Sequence, residues 1–140
     1  MFRGPATYNI YAADMPAAIG WYSRLFDAEP YFRRPVTGST AYAEWRIGDD
    51  QTEIGIIDAA WAPYPTGTPS GAVLHWAVDD LDAAFARLIE LGASVLQPVT
   101  PRGEGFLTAA VVDPFGNVLG IMTNPHYATV HDQHSRGDGR

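Results

Sequence analysis

Tyr8-Asn9-Ile10-Tyr11-Ala12-Ala13-Asp14-Met15-Pro16-Ala17-Ala18-Ile19 and Leu74-His75-Trp76-Ala77-Val78-Asp79-Asp80-Leu81-Asp82-Ala83-Ala84-Phe85 are the stretches whose reading decides the fold. At an offset of 66, Asp14 meets Asp80, Ala17-Ala18 meets Ala83-Ala84 and Leu25 meets Leu91. Further along, Ile54-Gly55-Ile56-Ile57 meets Leu119-Gly120-Ile121-Met122 at an offset of 65, a slip that one residue of loop length explains. The chain is therefore read as one structural unit written twice.

Each copy has the same internal logic. A short β-rich stretch opens it, Thr7 to Tyr11 in the first and Val73 to Val78 in the second. Asp14 or Asp80 then stands where a helix N-cap belongs, its carboxylate placed to accept from orphan N–H groups. Pro16 falls in the first turn, where proline is tolerated. Ile19, Tyr22, Leu25 and Phe26, then Leu81, Ala84, Phe85, Leu88 and Leu91, recur at helical spacing. Gly92 suits the left-handed position that ends a helix. Three short strands are expected in each half, over 30–35, 41–47 and 53–58 and over 94–99, 107–113 and 117–122. Asp113-Pro114-Phe115-Gly116-Asn117 is a turn before the last of them. The order is βαβββ twice, which makes the chain an α+β protein. Its two modules, about 5–60 and 71–124, are expected to form a curved mixed sheet with a ligand cleft, as a single domain over 1–128. Pro63, Pro65, Gly67, Pro69 and Gly71 mark a linker over 61–71. Residues 129–140 read as a polar tail without order.

Composition removes several chemistries. The 140 residues contain no Cys, so disulfides, zinc thiolate sites and Cys nucleophiles are excluded. All nine basic residues are Arg, which leaves no lysine for a Schiff base or a P-loop. A formal net charge of −7 disfavours nucleic acid. No run reaches the roughly 18 apolar residues of a membrane span, and Met1-Phe2-Arg3-Gly4-Pro5 does not read as a secretory signal, so a cytoplasmic protein is expected.

Strand alternation sorts the side chains into two faces. Tyr8 and Ile10, with Leu74, Trp76 and Val78, belong on the helix side. Thr7, Asn9 and Tyr11, with Val73, His75 and Ala77, belong on the other. Tyr42, Glu44 and Arg46 share that second face, as do Glu53, Gly55 and Ile57, and Val118, Gly120 and Met122. The candidate ligand-binding residues are Thr7, Asn9, Tyr42, Arg46, Gly55, Ile57, Val73, Gly120 and Met122. Trp61 and Phe106 join them, with Tyr64, as a rim. A mixed surface with aromatic walls and a few convergent polar groups is the usual small-molecule design. His75 has the side chain best suited to proton transfer near neutral pH, and Glu44 is the candidate carboxylate to orient it. A hydrogen-bonded structural histidine and a same-face Glu44–Arg46 ion pair are the plainer readings of these positions. His126, His131 and His134 read as part of the solvated tail, and Arg102-Gly103-Glu104-Gly105 as a charged loop.

Residues 5–124 resemble the vicinal oxygen chelate superfamily, which includes glyoxalases, extradiol dioxygenases and bleomycin-resistance proteins. Val78-Asp79-Asp80-Leu81-Asp82-Ala83-Ala84 through Leu91-Gly92-Ala93, and Val112-Asp113-Pro114-Phe115-Gly116-Asn117-Val118-Leu119, carry the resemblance most specifically. In metal-using members, the resemblance implies a His or Glu ligand on the first and last strand of each half. Those positions fall here on Thr7, Gly55, Val73 and Gly120, none of which is a His, Glu or Asp ligand. Asn9, His75 and Glu53 would form a site only after a two-residue displacement. The expectation is a protein without metal or other cofactor that binds a small molecule and sequesters it, as drug-binding members do. The resemblance also implies a homodimer. The alternatives are a metal-free lyase or isomerase with His75 as general base and, after it, a metal-dependent glyoxalase or dioxygenase. No nucleic-acid or membrane partner is expected.

Overall fold

A computed structural model describes residues 1–138, with residues 133–138 as backbone alone. It divides into two compact units. The first comprises Met1–Pro69 and Pro114–Asn117; the second comprises Ser70–Asp113 and the chain from Val118 onward.

In the first unit, β1 (Thr7–Ala12) leads into α1 (Met15–Phe26), followed by β2 (Phe32–Arg34), β3 (Tyr42–Ile47) and β4 (Thr52–Asp58). The sheet order is β1-β4-β3-β2, with β1 parallel to β4 and the other pairs antiparallel. Asp14 caps α1 by accepting from the Ala17 amide at 3.1 Å. The helix stops at Asp27, which adopts the left-handed conformation at φ 51°. The core lies between α1 and one face of the sheet, where Ala18, Ile19, Trp21 and Tyr22 meet Ala43, Trp45, Ile54 and Ile56, all buried. Trp45 is fully enclosed and donates its indole N–H to the Ala28 carbonyl at 2.8 Å. That bond lets a polar edge sit in an apolar core without the cost of an unpaired donor. Phe115, from the turn that interrupts the second copy, packs edge-on to Trp21 with 6.4 Å between ring centroids. Asn117 donates to the Tyr11 carbonyl at 2.9 Å.

The second unit repeats the plan with β5 (Leu74–Ala77), α2 (Leu81–Glu90), β6 (Ser94–Gly103), β7 (Phe106–Val112) and β8 (Val118–Thr123). Its order, β5-β8-β7-β6, reproduces the first sheet. Asp80 caps α2 through the Ala83 amide at 3.0 Å. Gly92 ends it at φ 101°, a conformation that costs glycine little. Leu81, Leu88, Ala93, Ala109, Ala110, Val111, Leu119 and Ile121 form the buried apolar set.

The βαβββ repeat and both helix caps thus stand where the sequence places them. Three local readings change. β6 runs on to Gly103 despite Pro98 and Pro101, because it is an edge strand whose outward N–H groups need no partner. Arg102-Gly103-Glu104-Gly105 is consequently no loop: Glu104 (φ 54°) and Gly105 (φ 84°) make a two-residue hairpin turn between β6 and β7. The tail expected over 129–140 is helical as far as it is described. It lies in α3 (Pro125–Asp138), where Asn124 accepts from the Tyr127 amide at 3.0 Å and proline occupies the first turn.

Candidate functional site

The register of the first sheet brings the polar residues into three rows. Thr7, Glu53 and Arg46 are neighbours across β1, β4 and β3. Asn9, Gly55, Glu44 and Phe32 form the next row, and Tyr11, Ile57, Tyr42 and Arg34 the third. Because alternation is strict, this face is the one opposite the Trp45 core.

Glu44 is the centre of the arrangement. It retains 9% of its accessible surface, yet it is a carboxylate. The Tyr31 and Tyr42 hydroxyls are hydrogen-bonded to its two oxygens. Glu53 sits beside it, accepting from the Thr7 hydroxyl at 3.0 Å and from Arg46 at 3.2 Å. The Tyr31 hydroxyl also lies 3.4 Å from Glu53 and so touches both carboxyl groups. Of these two neighbouring carboxylates only Glu53 is paired with the Arg46 guanidinium, and their environments push them apart. Burial, then the charge of Glu53, raises the Glu44 pKa above the usual carboxylate range. The hydrogen bonds from Thr7 and Arg46 hold Glu53 below it. The proton affinities of the two carboxyl groups are thus moved in opposite directions. Tyr42 is raised by burial and by the charge of Glu53. Arg46 lies over the Tyr31 ring, 4.4 Å from its centroid.

Gly55 makes this packing possible. A Cβ there would stand 2.3 Å from Asn9 Oδ1 and 2.7 Å from the Tyr42 hydroxyl. The absent side chain gives its space to the two groups that lean over the strand. Tyr11, at the end of the third row, meets Tyr64 edge-on at 5.7 Å.

The corresponding face of the second sheet is plainer. His75 pairs with Gly120, Gly120 with Ala110, and Ala110 with Gln97. The next row is Ala77, Met122, Thr108 and Thr100. A Cβ on Gly120 would come within 2.7 Å of the His75 ring, so the imidazole covers this glycine as Asn9 and Tyr42 cover Gly55. His75 is exposed and belongs to the second unit, whereas Glu44 has both oxygens engaged by tyrosines of the first.

The other candidates are distributed as follows. Val73 lies just outside β5 and is 41% exposed. Trp61 ends a single 3-10 turn after β4 and is 73% exposed. Phe106 opens β7 opposite Gly103 at the hairpin. Among the described residues, no three His, Cys, Asp or Glu side chains gather to hold a metal ion. The four ligand positions implied by the family resemblance do not fit one: two are glycines covered by neighbouring side chains, and Glu53 of the displaced alternative is engaged by Arg46 and Thr7. On α3 the His131 ring stacks on Tyr127 at 3.8 Å; His134 lies outside the residues whose side chains are described.

Sequence reasoning missed Tyr31, Phe32 and Arg34. Tyr31 precedes a strand of three residues, too short for alternation to assign a face. The signal was the aromatic pair Tyr31-Phe32 beside two arginines. A separate groove in the first unit is lined by Asp14, Met15, Arg33, Ser39, Thr40 and Asp58. Its charged groups are already committed: Asp14 and Asp58 accept backbone amides, and Arg33 pairs with Glu29 at 3.5 Å.

The model of the Glyoxalase/Bleomycin resistance protein/Dioxygenase superfamily matches residues 4–121. The chain belongs to this superfamily. It is 30% identical over 127 residues to "Putative glyoxylase CFP32" of Mycobacterium bovis, a match covering 87% of this chain and 46% of that protein. The chain thus spans about half the length of this curated relative. Superfamily folds of known structure include a glyoxalase-related enzyme from Fulvimarina pelagi (20% identity, TM-score 0.70, 89% and 90% of the two chains). TioX from Micromonospora sp. ML1 is similar at 20% identity and TM-score 0.66, over 86% and 98% of the two chains. At these identities the likeness is one of fold. Among the described residues no helix is long and apolar enough to cross a membrane.

Proposed function

We propose that the chain is a metal-independent small-molecule-binding protein of the glyoxalase/bleomycin-resistance type, which sequesters a drug-like or natural-product ligand on the polar face of its first sheet. The observation that carries the reading is the pair of covered glycines. Gly55 and Gly120 stand where the resemblance puts metal ligands, and the space beside them is given to Asn9, Tyr42 and His75. The first face supplies in exchange a mixed surface of phenols, carboxyl groups and guanidinium, the composition of an organic-ligand site. A cytoplasmic homodimer is part of the same proposal.

Thermal shift with added Ni²⁺, Zn²⁺, Mn²⁺ or Fe²⁺, set beside a small-molecule library, tests it. A ligand that binds only the native state adds roughly 2.7 kcal/mol at a hundredfold excess over Kd. Stabilisation by organic ligands and by none of the ions is expected. Stoichiometric metal with a clear shift would overturn the reading.

A second reading draws on the Glu44–Tyr31–Glu53 contact. In a metal-free lyase or isomerase, this pair supplies acid and base within one unit, whereas the His75 mechanism places the base on the other. If the bound ligand is turned over, Glu44→Gln should abolish turnover and retain binding. Loss with His75→Ala alone would restore the histidine mechanism.

A further inference from the structure

The third row of the first sheet crosses all four strands as Tyr11, Ile57, Tyr42 and Arg34. Three inter-strand spacings separate its ends, about 14 Å. One end is cationic. The Arg34 guanidinium lies over the Phe32 ring, 4.3 Å from its centroid, and donates to the Arg33 carbonyl at 3.2 Å. Among the described residues no carboxylate pairs with it, whereas Arg33 and Arg46 are matched to Glu29 and Glu53. The middle is an aliphatic and an aromatic side chain. Ile57 lies beside Tyr42, whose ring meets Phe32 edge-on at 6.1 Å. The far end carries the Tyr11 and Tyr64 rings.

The charge around the row decides the ligand's sign. The whole chain carries −7. On this face, however, Arg46 and Glu53 form an ion pair and both Glu44 oxygens are taken by tyrosine hydroxyls, which leaves Arg34 as the cation without a carboxylate partner among the described residues. A guanidinium has five N–H donors, so one held over an aromatic ring with a single backbone bond keeps others for the two-point recognition of a carboxylate.

Building on the proposed binding role, we propose that this row is the ligand subsite, and that it takes a planar aromatic carboxylate with its anionic end on Arg34 and its ring over Tyr42 and Ile57. Phenolic groups at the Tyr11 end meet a hydrogen-bonding substituent about 10 Å or more from the carboxylate.

Calorimetric titration at neutral pH with 2-naphthoate, the neutral 2-naphthylmethanol and the cationic 2-naphthylmethylammonium tests the assignment on the whole chain. The carboxylate is expected to bind at least about tenfold more tightly than the alcohol. Arg34→Gln should erase that advantage while leaving the alcohol unchanged. Arg34→Lys should restore part of it, and Arg33→Gln should leave it intact. Arg34 is exposed, so these variants leave the core untouched. Equal or tighter binding of the alcohol or the ammonium compound, or an unaffected Arg34→Gln, overturns the inference. If none of the three binds while the library yields another ligand, this inference falls and the binding role stands. If the library also yields nothing, both fall.

Discussion

The two sheets share one strand order, yet the chemistry of the face away from the helix differs position by position. Asn9, Gly55, Glu44 and Phe32 in the first become His75, Gly120, Ala110 and Gln97 in the second. Tyr11, Ile57, Tyr42 and Arg34 become Ala77, Met122, Thr108 and Thr100. Glu53 and Arg46 become Val118 and Val112. On the core side the equivalence is conservative, since Trp45 and Val111 are both fully enclosed. The helix-packed face of the duplicated sheet has stayed apolar, whereas the other face differs even at its buried positions, Glu44 and Ala110. The first copy has gathered titratable groups, and the second has kept a small, mostly uncharged surface with one histidine.

The largest effects should come from exchanging what the copies do not share. Trp45→Ala should cost about 3–5 kcal/mol in urea unfolding, and Val111→Ala about 2 kcal/mol, because the emptied volumes differ. Ala110→Glu, which places a carboxyl in the second sheet without tyrosine partners, should cost several kcal/mol. If Ala110→Glu were as stable as the parent, the Tyr31 and Tyr42 hydroxyls would not be what makes Glu44 tolerable.

The glycines should separate next. Gly55→Ala forces back the exposed Asn9 and the half-buried Tyr42, whose hydroxyl is held by Glu44, and should cost about 1–3 kcal/mol, by analogy with overpacking. Gly120→Ala meets only the exposed His75 ring, which can swing away, and should cost less than about 1 kcal/mol. Equal losses in thermal unfolding would break the contrast.

The acid pair gives a smaller, pH-shaped signal. Glu44 holds its proton more tightly when folded than when unfolded. Its contribution is therefore complete below the ordinary carboxylate range and is lost as pH rises through the raised folded value. Glu53 works in the opposite sense: its contribution is present at neutral pH and lost as pH falls through the lowered folded value. Glu44→Gln should flatten the decline of stability above that range and leave neutral-pH stability equal or higher. A Glu44→Gln profile parallel to the parent's would remove Glu44 from that role.

The smallest expected effects should be the same in both copies. Asp14→Ala and Asp80→Ala each remove one cap to an amide at 3.1 or 3.0 Å and should each cost about 1 kcal/mol.

The parts legible in the sequence were those governed by periodicity. The repeat, both aspartate caps and the Gly92 stop gave the architecture, and alternation put Thr7, Asn9, Glu44, Arg46, Gly55 and Ile57 on one face. What escaped lacked a period. Tyr31 reaches Glu44 from outside any strand, and Arg34 sits in a strand of three residues. Proline concealed the length of β6, since whether it breaks a strand depends on edge position, which is a tertiary fact. α3 was signalled only by Asn124-Pro125, a cap with little apolar periodicity behind it. The partnership of Glu44 with two phenols is likewise tertiary.

The turn that closes the first core has a consequence for the order of events at the ribosome. Phe115 covers the edge of Trp21, Asn117 holds the Tyr11 carbonyl, and the Gly116 Cα lies so near Gly67 that an added Cβ would stand 2.1 Å from its carbonyl oxygen. When residues 1–69 have emerged, all five of the first copy's helical and strand segments are available, but the residues that seal them are still untranslated. The earlier-made half is therefore completed only after most of the later-made half has been synthesised, and a gene cut at the linker would deliver it with Trp21 lacking its Phe115 contact.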